Sequence, residues 1–279
     1  MGTSRQHPPA PDTLGSTGPA APPGLTHPGA PCAPQAGPLA GAYARLWERI
    51  LAAQCRYGRE PGSVALVAVS KTFSADIVAA ATQLGQHAFG ENYVQEAVAK
   101  IAALRAQASG AAALAALQWH FIGPIQSNKT RHIAANFQWV QSLDRLHIAQ
   151  RLSGQRPPAM VPLQILLEVN LGAEATKSGI APDAPGALAA LALEVARLPN
   201  LVLRGLMAIP RPQTDVALQR AGFAGLRARF EEVRAQLPAA PDRAQFDTLS
   251  MGMSADFEAA IAEGATMIRV GSALFGART

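Results

Sequence analysis

The chain has 279 residues, a formal net charge of +5, and only 15% charged and 5% aromatic side chains. Its basic residues are dispersed, which argues against a nucleic-acid surface and leaves solubility and attraction for phosphorylated small molecules. The two cysteines, Cys32 and Cys55, form neither a disulfide framework nor a metal spacing, which fits a reducing cytoplasm, and no apolar run reaches the length of a membrane span.

From Met1 to about Pro38 there are ten prolines, six glycines and almost no large apolar side chains. Such a segment cannot bury enough surface to offset its ordering entropy, so it reads as a disordered extension. It also lacks the compact apolar core of a secretory signal. Leu39 to Gln54 then carries Leu39, Tyr43, Leu46, Trp47, Ile50 and Leu51 at helical spacing. The run Val64-Ala65-Leu66-Val67-Ala68-Val69 is apolar without alternation, as in a parallel strand covered on both faces, and Lys71 sits where that strand leaves the core.

The pattern repeats along the chain. Ala75–Gly85 is helical, 87–90 a strand, Val94 to about Ala108 a helix and 118–123 a strand; 128–135 is helical, 139–143 a strand and 145–152 helical. Strands at 163–170, 202–209, 246–251 and 267–271 alternate with helices at 185–198, 216–237 and 256–264. Eight strands alternating with helices predict a single (β/α)₈ TIM barrel over 39–279. An open doubly wound sheet is the alternative, but it would more often carry a G-x-G-x-x-G turn after its first strand, and none is present.

In such a barrel the carboxyl ends of the strands form the functional mouth. The polar or special residues at those ends are Lys71, Asn92, His120, Glu168 with Asn170, Met207, Ser250, and Arg269 with Gly271 and Ser272. A partly desolvated lysine becomes a nucleophile toward carbonyls, although a lysine that merely begins a loop is the plainer alternative. Loops after strands seven and eight commonly hold phosphate; here they read Ser250-Met251-Gly252-Met253-Ser254 and Arg269-Val270-Gly271-Ser272, with glycines for close backbone approach and hydroxyls as donors. A phosphate anchor facing a strand-one lysine suits a phosphorylated aldehyde, of which pyridoxal 5′-phosphate (PLP) is the obvious one.

The motifs VAVSKT around Lys71, FGENYVQE from Phe89, WHFIGPIQSNK from Trp119, KSGI from Lys177, RGLMAIP from Arg204 and LSMGMSADFEAAIAEGATMIRVGSALFG from Leu249 make the chain resemble the YggS/PROSC family of PLP-binding proteins. The resemblance covers essentially all of 39–279. It implies a barrel of the alanine-racemase N-terminal-domain type, a cytoplasmic monomer, and a role in PLP homeostasis as carrier or regulator, with PLP-dependent apoenzymes as recipients. It further implies that Lys71 holds the cofactor as a Schiff base and that Arg269 faces the pyridine nitrogen. Ser250, Gly271 and Ser272 match the phosphate cradle, Asn92 lies near the ring hydroxyl, and Met207 packs as a wall. One departure is that Phe73 is followed by Ser74, where many relatives have proline, which loosens the loop after strand one.

The rival reading is a PLP-dependent amino-acid racemase. Racemases with this barrel add a carboxy-terminal β-domain and a second subunit that supply an opposing base, whereas this chain ends at Thr279, so no enzyme of that kind is expected. His120 is either a base or a hydrogen-bonded structural histidine. Gln126, Asn128 and Lys129 are assigned no chemistry. Lys177 is either a solvated loop lysine or an attractor for a second phosphate compound.

Overall fold

A computed structural model describes residues 37–107, 114, 116–171, 178–181, 186–239 and 242–276. The chain alternates as expected: α1 (Pro38–Arg56), β1 (Ala65–Val69), α2 (Ala75–Gln83), β2 (Ala88–Glu91), α3 (Val94–Gln107) and β3 (Gln118–Phe121). A single 3₁₀ turn (Ser127–Lys129) leads into α4 (Thr130–Asn136), followed by β4 (Trp139–Leu143), α5 (Leu146–Gln155), β5 (Leu163–Val169) and α6 (Ala187–Ala196). Then come β6 (Leu201–Ala208), α7 (Val216–Gln236), α8 (Asp242–Gln245), β7 (Thr248–Ser250), α9 (Phe257–Ala262), β8 (Met267–Val270) and α10 (Ser272–Phe275).

The strands close into a barrel in sequence order, with β1 meeting β8 through Ala65–Ala68 against Met267–Val270. This closure explains the continuous apolar runs. Alternate residues of one strand face either the helix layer or the barrel interior, and both are dry. Leu66, Ala68, Phe89, Ile165 and Leu167 join the large outer core, while Ala65, Val67, Ala88, Trp139, Leu166, Met207 and Met267 fill the interior. Helix α1 buries Tyr43, Leu46, Trp47 and Ile50 at helical spacing, and Arg49 pairs with Glu258 of α9 at 2.9 Å.

Some boundaries depart from the sequence reading. Pro38 belongs to α1 rather than to the amino-terminal extension, because a proline in the first turn supplies a helical φ and needs no hydrogen-bond partner for its nitrogen. Residues 1–36 lie outside the described residues, as does Lys177. Strand β7 is shorter than its apolar pattern, since Asp247 is drawn into a bidentate contact with Arg204, at 3.1 and 2.6 Å. The four-residue helices α8 and α10 are too short to leave a period in the sequence. Of these, α10 starts on Ser272, one residue after β8, at the carboxyl-end face of the barrel.

Candidate functional site

Strand β1 ends at Val69, and the next residues are held from below by charge. Lys100 of α3 donates through Nζ to Glu91 Oε1 at 2.6 Å, to the Ser70 carbonyl at 2.8 Å and to Glu96 Oε1 at 3.0 Å. Ser70 Oγ donates to Glu91 Oε1 at 2.7 Å, and Glu96 Oε1 accepts the Thr72 N–H at 2.6 Å. Lys100 and Glu91 are almost wholly buried, with side chains 4% and 0% exposed. Burial pushes the Glu91 carboxyl up, and the Lys100 ammonium pulls it back.

Thr72 has φ 71°, a left-handed conformation that a β-branched residue avoids and that costs about 1–3 kcal/mol. The Glu96 contact holds it there. The clamp therefore fixes the backbone on both sides of Lys71, tying the ends of β1 and β2 to the start of α3.

Lys71, Asn92, Arg269, Gly271 and Ser272 converge on one cavity of ≈ 270 Å³ at the carboxyl ends of the strands. Five of the seven residues read from the sequence thus share one site. The rest of its wall is Val69, Ile122, Ile209 and Ala255, which sequence reasoning gave no part in the site, and Met253 and Ser254 of the loop after β7, which it read as a phosphate loop without singling out either residue. That loop is braced by Asp256, whose Oδ1 accepts the Met253 N–H at 2.6 Å. It can turn there because Gly252 takes φ 93°, and a Cβ on Gly252 would stand 2.6 Å from the Ala260 Cβ. Ser254 Oγ accepts the Ala273 N–H of α10 at 3.3 Å, joining the two loops that flank the cavity. Gly271 is pressed on β1, where a Cβ would lie 3.2 Å from the Val69 carbonyl oxygen.

Ser250 and Met207 lie one layer deeper and line no part of this cavity. Met207 is 0% exposed and packs in the barrel interior with Val67 and Met267. Ser250 supports Arg269 instead of facing the cavity. Its Oγ accepts from Arg269 Nη1 at 2.6 Å and donates to Gln141 Oε1 at 2.7 Å. Counting strand ends cannot separate these layers, and Ser254, four residues on, is the hydroxyl of that loop that reaches the cavity.

The same hydrogen-bond chain decides between the two readings of His120. Gln141 Nε2 donates to His120 Nδ1 at 2.9 Å, which leaves the ring proton on Nε2, an atom buried without a partner. Burial lowers the imidazole to about 3. It stacks on Trp139 with centroids 5.2 Å apart and lines neither cavity of the mouth. His120 is therefore buried and neutral at physiological pH, as the structural reading expects.

Arg269 is 3% exposed, and Nη2 donates to the Ala208 carbonyl at 2.9 Å. Burial lowers its guanidinium to about 10, against the opposing effects of Glu168 and Asp256, so it remains protonated at neutral pH. Glu168 lines an adjoining lobe of ≈ 230 Å³ that shares Asn92, Ile122 and Ile209 with the first. Burial, reinforced by Asp144 and opposed by Arg269, raises this carboxyl to about 7. Among the described residues no cluster of His, Cys, Asp and Glu could hold a metal ion, and no helix is long and apolar enough to cross a membrane.

The family model for the alanine racemase N-terminal domain matches residues 46–279. A curated relative, the pyridoxal phosphate homeostasis protein of Pseudomonas aeruginosa, is 53% identical over 240 residues, covering 86% of this chain and 96% of that one. Among solved structures, PipY of Synechococcus elongatus with PLP bound is 38% identical with a TM-score of 0.68, covering 83% of this chain and all of that one. D-threonine aldolase from Filomicrobium marinum, at 18% identity and a TM-score of 0.58 over 84% of this chain and 60% of that one, shares the fold alone.

Proposed function

This chain belongs to the alanine racemase N-terminal-domain family and, within it, to the pyridoxal phosphate homeostasis proteins, and we propose that it binds PLP in the Lys71 cavity and acts as a carrier or regulator of that cofactor. The observation that carries the reading is the convergence of a lysine, a buried arginine and two serine-bearing loops on one cavity. The residues fit the cofactor. Lys71 offers an amine, Arg269 retains N–H donors beyond the two engaged beneath it, and Ser254, Gly271 and Ser272 offer hydroxyls and close backbone approach for a phosphate. When bound, PLP supplies an aldehyde that condenses with an amine and a phosphate that anchors it.

The chain's own residues suit holding the cofactor better than exploiting it. Arg269 keeps its proton, so toward a pyridine nitrogen it would donate a hydrogen bond without transferring the proton, which leaves the ring a weak electron sink. His120 is neutral and sealed below the cavity. Glu168 is a further titratable group near the mouth, and it faces the neighbouring lobe. These features favour a carrier over an enzyme, and the family resemblance extends the proposal to PLP-dependent apoenzymes as recipients and to a cytoplasmic monomer.

Mixing the loaded chain with a PLP-dependent apoenzyme tests the carrier reading. Activity should return, while the loaded chain alone leaves α-deuterium exchange of common L-amino acids at background. Turnover in the enzyme range, roughly 1 s⁻¹ or faster, would restore the racemase reading.

A further inference from the structure

The lobe beside the lysine cavity has a chemistry that cofactor holding leaves unused. Glu168 is 8% exposed and lines it. The Glu168 backbone carbonyl is taken by the Ile180 N–H at 2.8 Å, but its side-chain carboxylate accepts no hydrogen bond from any of the described residues. The nearby guanidinium of Arg269 directs Nη1 to Ser250 and Nη2 to the Ala208 carbonyl. Asp144, the other charge that Glu168 senses, is also an acid and is itself paired with Arg145 at 2.8 Å. Largely burying a carboxylate is costly unless a donor meets it, so the partly open space bounded by this one has a place for a donor.

We propose that the lobe is a subsite for a small alkylammonium ligand, whose charged N–H donates to Glu168 while its hydrocarbon body packs on Ile122, Pro124, Val169 and Ile209. Asn170 and Ser178 supply the polar remainder of the wall. Charge selects the class of ligand. Glu168 and Asp144 both repel anions, Arg269 opposes them only from beside the lobe, and among the described residues no lysine or arginine lines it, so a plain amine is preferred to a zwitterionic amino acid. Because Asn92, Ile122 and Ile209 wall both spaces, the docked amine shares a mouth with Lys71, and retention of the cofactor becomes amine-sensitive. That consequence rests on the PLP reading, whereas the docking itself does not.

Calorimetric titration of the full chain with N,N-dimethylbutylamine, with PLP bound and after its removal, tests the subsite. A tertiary amine cannot condense with an aldehyde, so the heat reports docking alone. Saturable binding is expected in both states, with neither 1-butanol nor norvaline saturating. Glu168→Gln is expected to bind about tenfold more weakly or worse, as the loss of one charge-assisted hydrogen bond implies. Ser178→Phe alters an exposed rim position, fills the lobe without touching its charge, and should abolish binding even where Glu168→Gln proves too unstable to measure. Equal affinity in either variant, equally tight binding of 1-butanol, or no saturable binding by the parent chain would overturn the proposal. Amine docking that survives in a chain unable to bind PLP would remove the cofactor reading alone.

Discussion

Replacing Lys100 with Met removes the one ammonium from a buried cluster that contains two carboxylates. Glu91, with a 0% exposed side chain, loses its charge partner, and the Ser70 carbonyl loses a donor at 2.8 Å. Leaving a buried charge without its partner costs about 3–5 kcal/mol, which at about 2–4 °C per kcal/mol lowers the thermal midpoint by roughly 6–20 °C. The loss should depend on pH with a definite sign. Glu91 is already raised in the folded state, and removing Lys100 takes away the largest influence pulling it down. A carboxyl whose folded pKa exceeds its unfolded value favours folding below the unfolded pKa and loses that contribution as pH rises through the folded one. Lys100→Met should therefore lie nearest the parent chain in acid and fall away toward neutral pH. The double variant Glu91→Gln with Lys100→Met should recover much of the midpoint, since removing both partners of a buried pair is far milder than removing one. Midpoints measured by circular dichroism across the acid-to-neutral range decide the matter. A Lys100→Met midpoint within about 2 °C of the parent at neutral pH, with no dependence on pH, would refute the claim that this cluster holds the segment around Lys71.

Other outcomes follow from the same geometry. Ser250→Ala leaves Arg269 Nη1 and Gln141 Oε1 without a partner and should cost about 1–3 kcal/mol in denaturant unfolding, with weaker PLP retention although the changed side chain lines no cavity wall. Glu168, at about 7 when folded against an ordinary 4.5 and flanked by Asp144 and Arg269, favours folding below the lower value and loses that contribution as pH rises through the upper one. Glu168→Gln should therefore flatten the stability profile between those pH values, by at most about 3 kcal/mol, as a pH series of unfolding curves would register. Removing residues 1–36 should leave the midpoint and PLP content unchanged, as their proline and glycine composition implies, and a large fall would show that the segment docks.

The barrel is legible in the sequence because parallel strands buried on both faces leave unbroken apolar runs. Val64 to Val69 at β1 and Ile165 to Leu167 within β5 both lack the alternation of a half-exposed strand. Lys71 and Arg269 are legible because a lone charge at the edge of such a run has few places to go. The layer at which Ser250 and Met207 sit is not legible, since strand-end counting assigns a residue to the mouth without saying how deep it lies. The clamp beneath Lys71 is hidden for a different reason. Glu96 and Lys100 are four residues apart on a helix, a spacing that ordinarily marks a solvated face. Only the fold brings Glu91 and the Ser70 carbonyl to meet them. The strained φ of Thr72 leaves no trace in its residue type, and the raised carboxyl of Glu168 depends on burial and on Asp144, which comes from a different strand end.

Borohydride reduction of the PLP-loaded chain, followed by peptide mass mapping, asks directly which amine holds the cofactor. One pyridoxyl phosphate adduct per chain is expected, carried by Lys71 and accompanied by loss of the visible absorbance band. An adduct mapped to another lysine in the parent chain, or none at all, would contradict the assignment of Lys71 as the cofactor-holding residue.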